Sequence, residues 1–465
     1  MPDSSVLRLP GFTRCWPAQL KKGTMCYPTT RAAAHITIMS ILSLNTCSPS
    51  TFGGLAFFGA KVLSIDTNLV TNFSASVSAV SRIVQPDVEL RNATFCNVTV
   101  TYTHPGQGDN INVETWLPVG TWNGRLQAVG GAGWAAGRLP FAYEPMKGAL
   151  ADGYATVTTD AGLGDAQEPS PWALISQGNV NMYKFQNFGS VSLNDQAIIA
   201  KSVIRSFYGQ DPTFSYWTGC SQGGRQGLAL AQRYPTAYDG ILAGAPVVYA
   251  SEVVGSMFWP QQVMNMLGQH PFGCEIRAMT TAAISACDGL DGVVDGVISD
   301  PEACTFDPFT LVGKQIDCRE ANKTVQISTA AAMVANATWK GRTTADGRPA
   351  WHGFNFDTDI SIFSPDPRVL PGVAATNCTS GTCVGVMNLL VTGWLTQFIV
   401  KGAGLDFGNI THTQADALIH SGRQQYSSIF DADDPDLTEF RAAGGKLVTY
   451  HGMASLFRRF SVRRF

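Results

Sequence analysis

Charged residues are scarce in this chain, and their two signs nearly balance. Asp, Glu, Lys and Arg make up 14% of the 465 residues, with 32 basic and 35 acidic side chains and a formal net charge of -3. The chain has no basic stripe of the kind that neutralises nucleic-acid phosphates, and no acidic block typical of a disordered tail. We therefore expect no nucleic-acid partner. The hydrophobic content of 45% is enough to build a large core.

Long apolar runs and repeats are also missing. The longest apolar run near the start, residues 36–44, is interrupted by serine and is shorter than the roughly 20 residues that cross a bilayer. Residues 1–31 have no apolar centre, and residues 32–44 form only a weak signal-peptide core. We expect no membrane partner, and an atypical segment over residues 1–46 that lies outside the fold; a misassigned start site would explain it.

Cysteine is plentiful. The chain has 11 cysteines together with seven Asn-x-Ser/Thr sequons, which begin at Asn72, Asn92, Asn97, Asn322, Asn336, Asn377 and Asn409. Disulfides and N-glycans both form in the secretory pathway, so the pattern favours a secreted glycoprotein. A reduced intracellular protein with buried cysteines is the alternative. Because the number of cysteines is odd, at least one of them lacks an intrachain partner.

The most informative motif is Gly-x-Ser-x-Gly around Ser221, within the segment YWTGCSQGGRQG over residues 216–227. A short β-prone segment precedes the motif, at 214–218, and a helical pattern follows it, at 228–234. A serine at a sharp turn from strand to helix is a nucleophile elbow. There the N–H of Gln222 faces the oxyanion that forms when the serine attacks. A chance match is the alternative, since the chain contains 47 glycines.

The other elements predict an α/β fold with a mainly parallel sheet. We expect strands at 98–102, 111–117, 126–129, 154–158, 240–243 and 446–450, and an amphipathic helix at 193–208. The core spans 47–250, an inserted lid spans 251–425, and residues 426–465 return to the core. We expect the sheet to be incomplete at its C-terminal end.

Two further clusters suggest chemistry. The sequence GGAGW at 130–134 follows a predicted strand, and Gly131 and Ala132 are candidate oxyanion donors; an ordinary glycine turn is the alternative. The segment CDGLDGVVDGVI at 287–298 places Asp288, Asp291 and Asp295 close together. Crowded carboxylates suit Ca²⁺, and the carbonyl oxygens of Val293 and Val297 could complete the shell. A solvated acidic turn is the alternative.

These motifs resemble those of the fungal tannase and feruloyl esterase family. The matching segments are 219–227, WNGR at 122–125, 287–298, CTFDP at 304–308 and GGKL at 444–447, within a resemblance that extends over 47–451. The resemblance implies an α/β-hydrolase core with a large lid, and a secreted serine esterase that cleaves aromatic or phenolic esters, such as those of plant cell walls or tannins. It implies Ser221 as nucleophile and a structural Ca²⁺ bound by Asp288, Asp291, Val293, Asp295 and Val297.

The same resemblance implies a disulfide pattern. It implies that Cys47 pairs with Cys96 and that Cys287 pairs with Cys304. The pairs Cys274–Cys318 and Cys378–Cys383 are further candidates. It also implies that Cys220 is an unpaired thiol, because in the family the equivalent cysteine pairs with one located much farther along the chain.

This chain departs from the family near its end. In the family, the triad aspartate follows His-Gly-x-Ala, whereas here Ser455 follows the segment HGMA at 451–454. The family's triad histidine lies farther downstream, directly before the cysteine that pairs with the equivalent of Cys220, and neither is found before residue 465. None of the other downstream histidines is favoured as a base: His270, His352, His412, His420 and His451. We therefore predict impaired activity. The alternatives are a non-catalytic relative that keeps the pocket and the calcium loop, and a calcium-dependent cell-surface module.

Overall fold

The computed structural model describes residues 47–83, 85–365, 369–379 and 381–452. It contains the following strands: β1 Lys61–Val77, β2 Val88–Thr103, β3 Ile111–Pro118, β4 Arg125–Val129, β5 Ala155–Thr159, β6 Leu174–Ser176, β7 Asn179–Val180, β8 Phe214–Cys220, β9 Gly240–Gly244, β10 Gln315–Cys318, β11 Lys323–Gln326, β12 Thr376–Thr379, β13 Thr382–Gly385 and β14 Lys446–Tyr450.

The α-helices alternate with the strands in the first half of the chain and then dominate. They are α1 Pro140–Ala151, α2 Met182–Gln186, α3 Ser192–Tyr208, α4 Gln222–Arg233, α5 Ala250–Ser256, α6 Trp259–Leu267, α7 Gly273–Cys287, α8 Thr329–Lys340, α9 Leu389–Gly393, α10 His412–Phe430 and α11 Thr438–Ala442. A π-helical turn, Asn187–Val191, joins α2 to α3. A second one, Trp394–Val400, follows α9.

An eight-stranded sheet forms the centre of the fold, in the order β1-β2-β3-β5-β4-β8-β9-β14. The strands β5, β4, β8, β9 and β14 run parallel to one another. The strands β1, β2 and β3 extend the sheet antiparallel. All five residues of β5 are buried, as expected for a parallel strand that is covered on both faces. The predicted α/β-hydrolase fold is confirmed.

The helix after the serine begins earlier than the sequence pattern predicts. We predicted it from residue 228, but α4 begins at Gln222. Glycines weaken a helix by up to about 1 kcal/mol each, and three of them, Gly223, Gly224 and Gly227, obscure the helical pattern. Tertiary packing explains them. A Cβ atom at Gly224 would lie 2.3 Å from the carbonyl oxygen of Gly244, so only glycine lets the helix approach β9 this closely.

A long insertion separates β9 from β14, where the lid was predicted. The predicted boundaries at 251 and 425 fall inside α5 and α10, so the helices extend beyond them at both ends. The insertion packs against the core through a buried aromatic cluster, which comprises Trp134, Trp172, Phe185, Phe188, Trp394, Phe398, Tyr426 and Phe430. Trp134, at the end of the glycine cluster, stacks on Trp394, Phe398 and Phe430 with ring centroids 5.2–6.2 Å apart. The glycine cluster and the insertion therefore share one core.

Four disulfides link the described part of the chain. They join Cys47 to Cys96, Cys274 to Cys318, Cys287 to Cys304, and Cys378 to Cys383. All four predicted pairs are confirmed. Among the described cysteines, Cys220 is a free thiol. None of the described helices is both long enough and apolar enough to cross a membrane.

Candidate active site

Ser221 lies at the junction of β8 and α4 with a strained backbone. Its φ is 59° and its ψ is -115°, a region that residues with a side chain rarely occupy. Its N–H donates to the carbonyl oxygen of Gly244 at 3.0 Å, and its own carbonyl oxygen accepts from the N–H of Arg225 at 2.9 Å. These bonds hold the serine between β9 and the first turn of α4. The predicted arrangement of strand, elbow and helix is present.

The glycines around Ser221 are required by close approach. A Cβ at Gly219 would lie 2.4 Å from the carbonyl oxygen of Gly223, so the end of β8 touches the first turn of α4. A Cβ at Gly223 would lie 3.0 Å from the carbonyl oxygen of Gly131. The glycine cluster after β4 is therefore brought against the elbow, as an oxyanion site requires.

One predicted oxyanion donor is already engaged. The N–H of Gly131 donates to Oε1 of Gln226 at 2.9 Å, and Nε2 of Gln226 donates to the carbonyl oxygen of Ala136 at 3.0 Å. Donation from Gly131 to an oxyanion would require the first of these bonds to open. Ala132 forms an isolated antiparallel bridge with Ala135. On the elbow side, Gln222 is the first residue of α4, where helix N–H groups have no partner within the helix.

The side chain of Gln222 is bound to a buried arginine. Oε1 of Gln222 accepts from Nε of Arg225 at 2.8 Å. Arg225 is completely buried, and burial lowers the pKa of its guanidinium to about 9. It is therefore charged at neutral pH. A buried cation is thus bonded to the side chain of Gln222, the residue that follows Ser221.

Helix α4 also binds the end of α10. The guanidinium of Arg225 donates to the carbonyl oxygen of Phe430. The guanidinium of Arg233 donates to the carbonyl oxygens of Ser428, Ile429 and Asp431. The last carbonyl groups of a helix have no partner within that helix and carry a partial negative charge. Two cations on the nucleophile helix therefore cap the C-terminal end of the last long helix of the insertion.

A buried carboxylate lies at the same junction. Asp431 accepts from the N–H of Ser251 at 2.7 Å and from its Oγ at 2.8 Å, which joins the exit of the insertion to its entrance. Burial raises the pKa of Asp431 from 3.8 to about 6, although the hydrogen bonds from Ser251 oppose this shift. Asp431 also lines a cavity of about 240 Å³, with Tyr249, Glu252, Trp351, Arg423, Ser427, Ser428 and Asp433.

Comparison with known proteins establishes the family. The family model described as "Tannase and feruloyl esterase" matches residues 96–457. The chain belongs to the tannase and feruloyl esterase family. It is 37% identical over 388 residues to a probable feruloyl esterase of Arthroderma benhamiae, an alignment that covers 82% of this chain and 70% of that relative. It is 29% identical over 402 residues to a tannase of Aspergillus oryzae, with 77% and 65% covered. The chain thus spans about two thirds of these relatives.

Solved structures agree with this family. The tannin acyl hydrolase from Aspergillus niger superimposes with a TM-score of 0.78 at 26% identity, over 89% of this chain and 75% of that one. Feruloyl esterase B from Aspergillus oryzae superimposes with a TM-score of 0.65 at 21% identity, over 88% and 76%, and supports the fold alone.

The structure places no described histidine or carboxylate in hydrogen-bond contact with Oγ of Ser221. His412 binds the carbonyl oxygen of Thr343 at 2.8 Å. His270, His352 and His420 lie within the insertion. His451 directly follows β14. Ser455, where the family places its triad aspartate, lies outside the described residues.

The predicted calcium ligands of this family lie in a folded loop after α7. Asp288 accepts from the N–H groups of Asp295 and Gly296 at 3.0–3.2 Å. Asp291 accepts from the N–H of Val293 at 2.9 Å, which lowers the pKa of its carboxyl. Asp295 accepts from the N–H of Val297 at 3.0 Å. The carboxylates thus bind the backbone of their own loop.

The carboxylate and carbonyl oxygens of this loop are donors that suit a hard cation such as Ca²⁺. Within the described ranges, one group of three His, Cys, Asp or Glu side chains has its ligand atoms within 4.8 Å of one another: Cys274, Cys318 and Glu320. The two cysteines of that group are bonded to each other. Among the described residues, the carboxylates of Asp288, Asp291 and Asp295 do not form such a group of three.

Two residues of the site were not assigned a role from sequence. Arg225 and Gln226 lie within the GCSQGGRQG segment, and neither exposes any surface. Polar residues are rarely fully buried unless they are bonded. Their position in the first turns of a helix that packs against the sheet was the signal that could have indicated their burial. Their hydrogen-bond partners could not be predicted, because the glycine cluster and α10 are distant from them in sequence.

Proposed function

We propose that this protein is a carboxylic ester hydrolase that cleaves aromatic or phenolic esters, with Ser221 as its nucleophile. The observation that supports this most directly is the left-handed backbone of Ser221 between β8 and α4, in a chain of the tannase and feruloyl esterase family. Such strain costs on the order of 1–3 kcal/mol and clusters at active sites. A serine with only a packing role would have no need of it.

The proposed reaction is acyl transfer in two steps. Oγ of Ser221 attacks the ester carbonyl carbon, the electron pair of the C=O bond moves to the oxygen, and the N–H of Gln222 donates to that oxyanion. The oxyanion then re-forms the C=O bond as the C–O bond to the alcohol breaks, and the leaving alkoxide takes up the proton that Ser221 gave up. Water hydrolyses the acyl-serine, which releases the acid and regenerates the serine hydroxyl. The serine proton requires a base within hydrogen-bond reach.

We propose that turnover by this chain is slow. Among the residues that the structure describes, no histidine or carboxylate bonds to Oγ of Ser221, and an unassisted hydroxyl is a weak nucleophile. Loss of the whole triad costs on the order of 10⁶ in turnover in a well-studied hydrolase. The same observation favours a second candidate function, a non-catalytic relative that binds the aromatic ester.

The test is to assay the purified protein on methyl ferulate and methyl gallate, with Ser221→Ala as the control, and to measure methyl ferulate binding to both forms by calorimetry. Slow release of acid that Ser221→Ala abolishes supports a weak esterase. Binding without any release supports the non-catalytic relative. If the protein shows no binding and no release of acid, both candidate functions are contradicted. Rapid turnover that survives Ser221→Ala contradicts the assignment of Ser221 as nucleophile.

We also propose that the protein is secreted and that the 287–298 loop holds a structural Ca²⁺. Four disulfides in the described residues support an oxidising compartment. The calcium proposal depends on the oxygen donors of Asp288, Asp291 and Asp295 and on the family resemblance.

A further inference from the structure

Arg225 is the most deeply buried charge near the elbow. Its Nε donates to Oε1 of Gln222 at 2.8 Å, and its other nitrogens donate to the carbonyl oxygens of Phe188, Gly189 and Phe430 at 3.0–3.3 Å. The rings of Phe188 and Phe430 lie on it, with centroids 5.6 and 5.4 Å from the guanidinium carbon. One side chain thus touches the elbow, the π-helical turn at 187–191 and the end of α10.

No carboxylate of the described chain hydrogen-bonds to this cation. The charge of Arg233 repels it and the charge of Asp431 attracts it. A buried charge is costly unless other groups compensate. Here the compensation comes from carbonyl dipoles, the C-terminal end of α10 and two aromatic faces. An apolar side chain would fill this volume at less cost, so packing alone does not explain an arginine.

The chemistry of arginine determines how Gln222 sits. A guanidinium can only donate, so Oε1 of Gln222 must face it. Nε2 of Gln222 is then buried without a hydrogen-bond partner among the described residues. Gln222 is 4% exposed, and its side chain is held by this single bond. The backbone N–H of the same residue is the elbow's donor to the oxyanion in the proposed mechanism.

We propose that Arg225 is a positioning residue that restrains the backbone of Gln222 by bonding the Gln222 side chain on one side and the carbonyl groups of Phe188, Gly189 and Phe430 on the other. The carbonyl groups of the insertion's α10 and of the core's π-helical turn fix the guanidinium, and the guanidinium fixes Gln222. Removal of the guanidinium therefore removes the restraint on the oxyanion donor. The catalytic meaning of this link rests on the proposed function, but the link itself can be measured without turnover.

The same helix supplies a matched control. Arg233 also donates to carbonyl groups at the end of α10, but it makes no bond to Gln222. Arg233→Met should therefore weaken the docking of α10 and leave the elbow unchanged. Arg225→Met should weaken both. Gln222→Met removes the acceptor of the bond between Arg225 and Gln222 and leaves the bond from Arg225 to α10 in place.

The experiment is hydrogen exchange of the full-length protein, followed by mass spectrometry of peptides that cover 219–227 and 427–433. We expect Arg225→Met and Gln222→Met to speed exchange in the elbow peptide by about tenfold or more, and Arg233→Met to leave that peptide unchanged. If Arg225→Met does not fold, Arg225→Lys and Gln222→Met still decide the question. An elbow peptide that exchanges equally in all variants overturns the proposal.

A kinetic measurement separates this inference from the proposed function. If the parent protein hydrolyses methyl ferulate, Arg225→Met should lower kcat by about 10-fold or more, with KM within about twofold, because a donor to the oxyanion acts in the transition state. Arg233→Met should leave kcat within about twofold. Failure of all variants to turn over contradicts the proposed function only, since the exchange result alone decides the positioning role.

Discussion

The N–H of Gly131 donates to Oε1 of Gln226 at 2.9 Å, so the glycine cluster after β4 is fastened to the helix that begins after Ser221. Nε2 of the same Gln226 side chain donates to the carbonyl oxygen of Ala136 at 3.0 Å. One fully buried side chain therefore satisfies two backbone groups of the loop. It also sets the distance between the loop and the elbow.

Replacing Gln226 should destabilise the protein strongly. Gln226→Leu keeps most of the volume but leaves the N–H of Gly131 and the carbonyl of Ala136 buried without partners, at about 1–3 kcal/mol each. We expect the free energy of unfolding in urea to fall by about 2–6 kcal/mol. Gln232→Leu is the control, since Gln232 bonds two carbonyl groups from a partly exposed position. Equal losses in both variants would contradict this account.

The pH dependence of stability should contain a contribution from Asp431. Its pKa is raised by burial from 3.8 to about 6, so between these values the folded state binds more protons than the unfolded state. The free energy of unfolding must then fall as pH rises from about 4 to about 6. Asp431→Asn keeps the contacts to Ser251 and removes this titration.

The measurement for Asp431 is the difference in Tm between the parent protein and Asp431→Asn from pH 4 to pH 8. The parent should lose stability relative to the variant up to about pH 6, and the difference should then level off. Asp211→Asn, at an exposed ion pair with Arg205, controls for a simple change in net charge. A difference that stays constant across the range would show that Asp431 does not titrate there.

Calcium should stabilise the folded state if the 287–298 loop binds it. A ligand at 100 times its Kd adds about 2.7 kcal/mol to the free energy of unfolding. We expect calorimetry to show a higher Tm in excess Ca²⁺ than in chelator, and Asp291→Asn or Asp295→Asn to reduce the shift. Asp346→Asn, an exposed aspartate in another loop, should leave it unchanged. An identical Tm with and without Ca²⁺ would contradict the site.

Glycosylation should differ between the sequons. Nδ2 of Asn97 donates to Oε1 of Glu114 at 3.0 Å from a half-buried position, and a glycan on that nitrogen would disrupt the bond. Asn72, Asn92, Asn322 and Asn377 are exposed. Mass spectrometry of peptides after enzymatic deglycosylation should find glycans at exposed sequons and none at Asn97. Occupancy of Asn97 in folded protein would show that this bond does not form.

Local patterns were sufficient where the physics is local. Alternation and β-prone composition predicted strands at 111–117 and 126–129 that match β3 and β4 to within one residue. The amphipathic pattern at 193–208 predicted α3, which ends at Gly209 with a left-handed backbone as helix ends commonly do. The elbow at Ser221 was also predictable, because its glycines and its flanking elements are contiguous in the chain.

Long-range pairings were only partly accessible. The disulfides were predicted from family resemblance, not from physics, since spacing alone does not specify connectivity. Helix α4 was predicted six residues too late because its glycines are explained by β9 and the glycine cluster, which lie elsewhere in the sequence. The calcium site at Asp288, Asp291 and Asp295 was inferred from their spacing and from the family resemblance, and it stays a prediction.

The sequence by itself determined the class of fold, the strained serine and the family, because each depends on residues adjacent in the chain or on motifs that persist as strings. Only the tertiary structure decided which N–H groups remain available around Ser221 and what holds them. Oε1 of Gln226 accepts the hydrogen bond of the Gly131 N–H. Arg225 donates both to Oε1 of Gln222 and to the carbonyl oxygen of Phe430, which lies 205 residues after Arg225 in the sequence. Such bonds depend on where the sheet and the insertion meet, and no local pattern encodes that meeting.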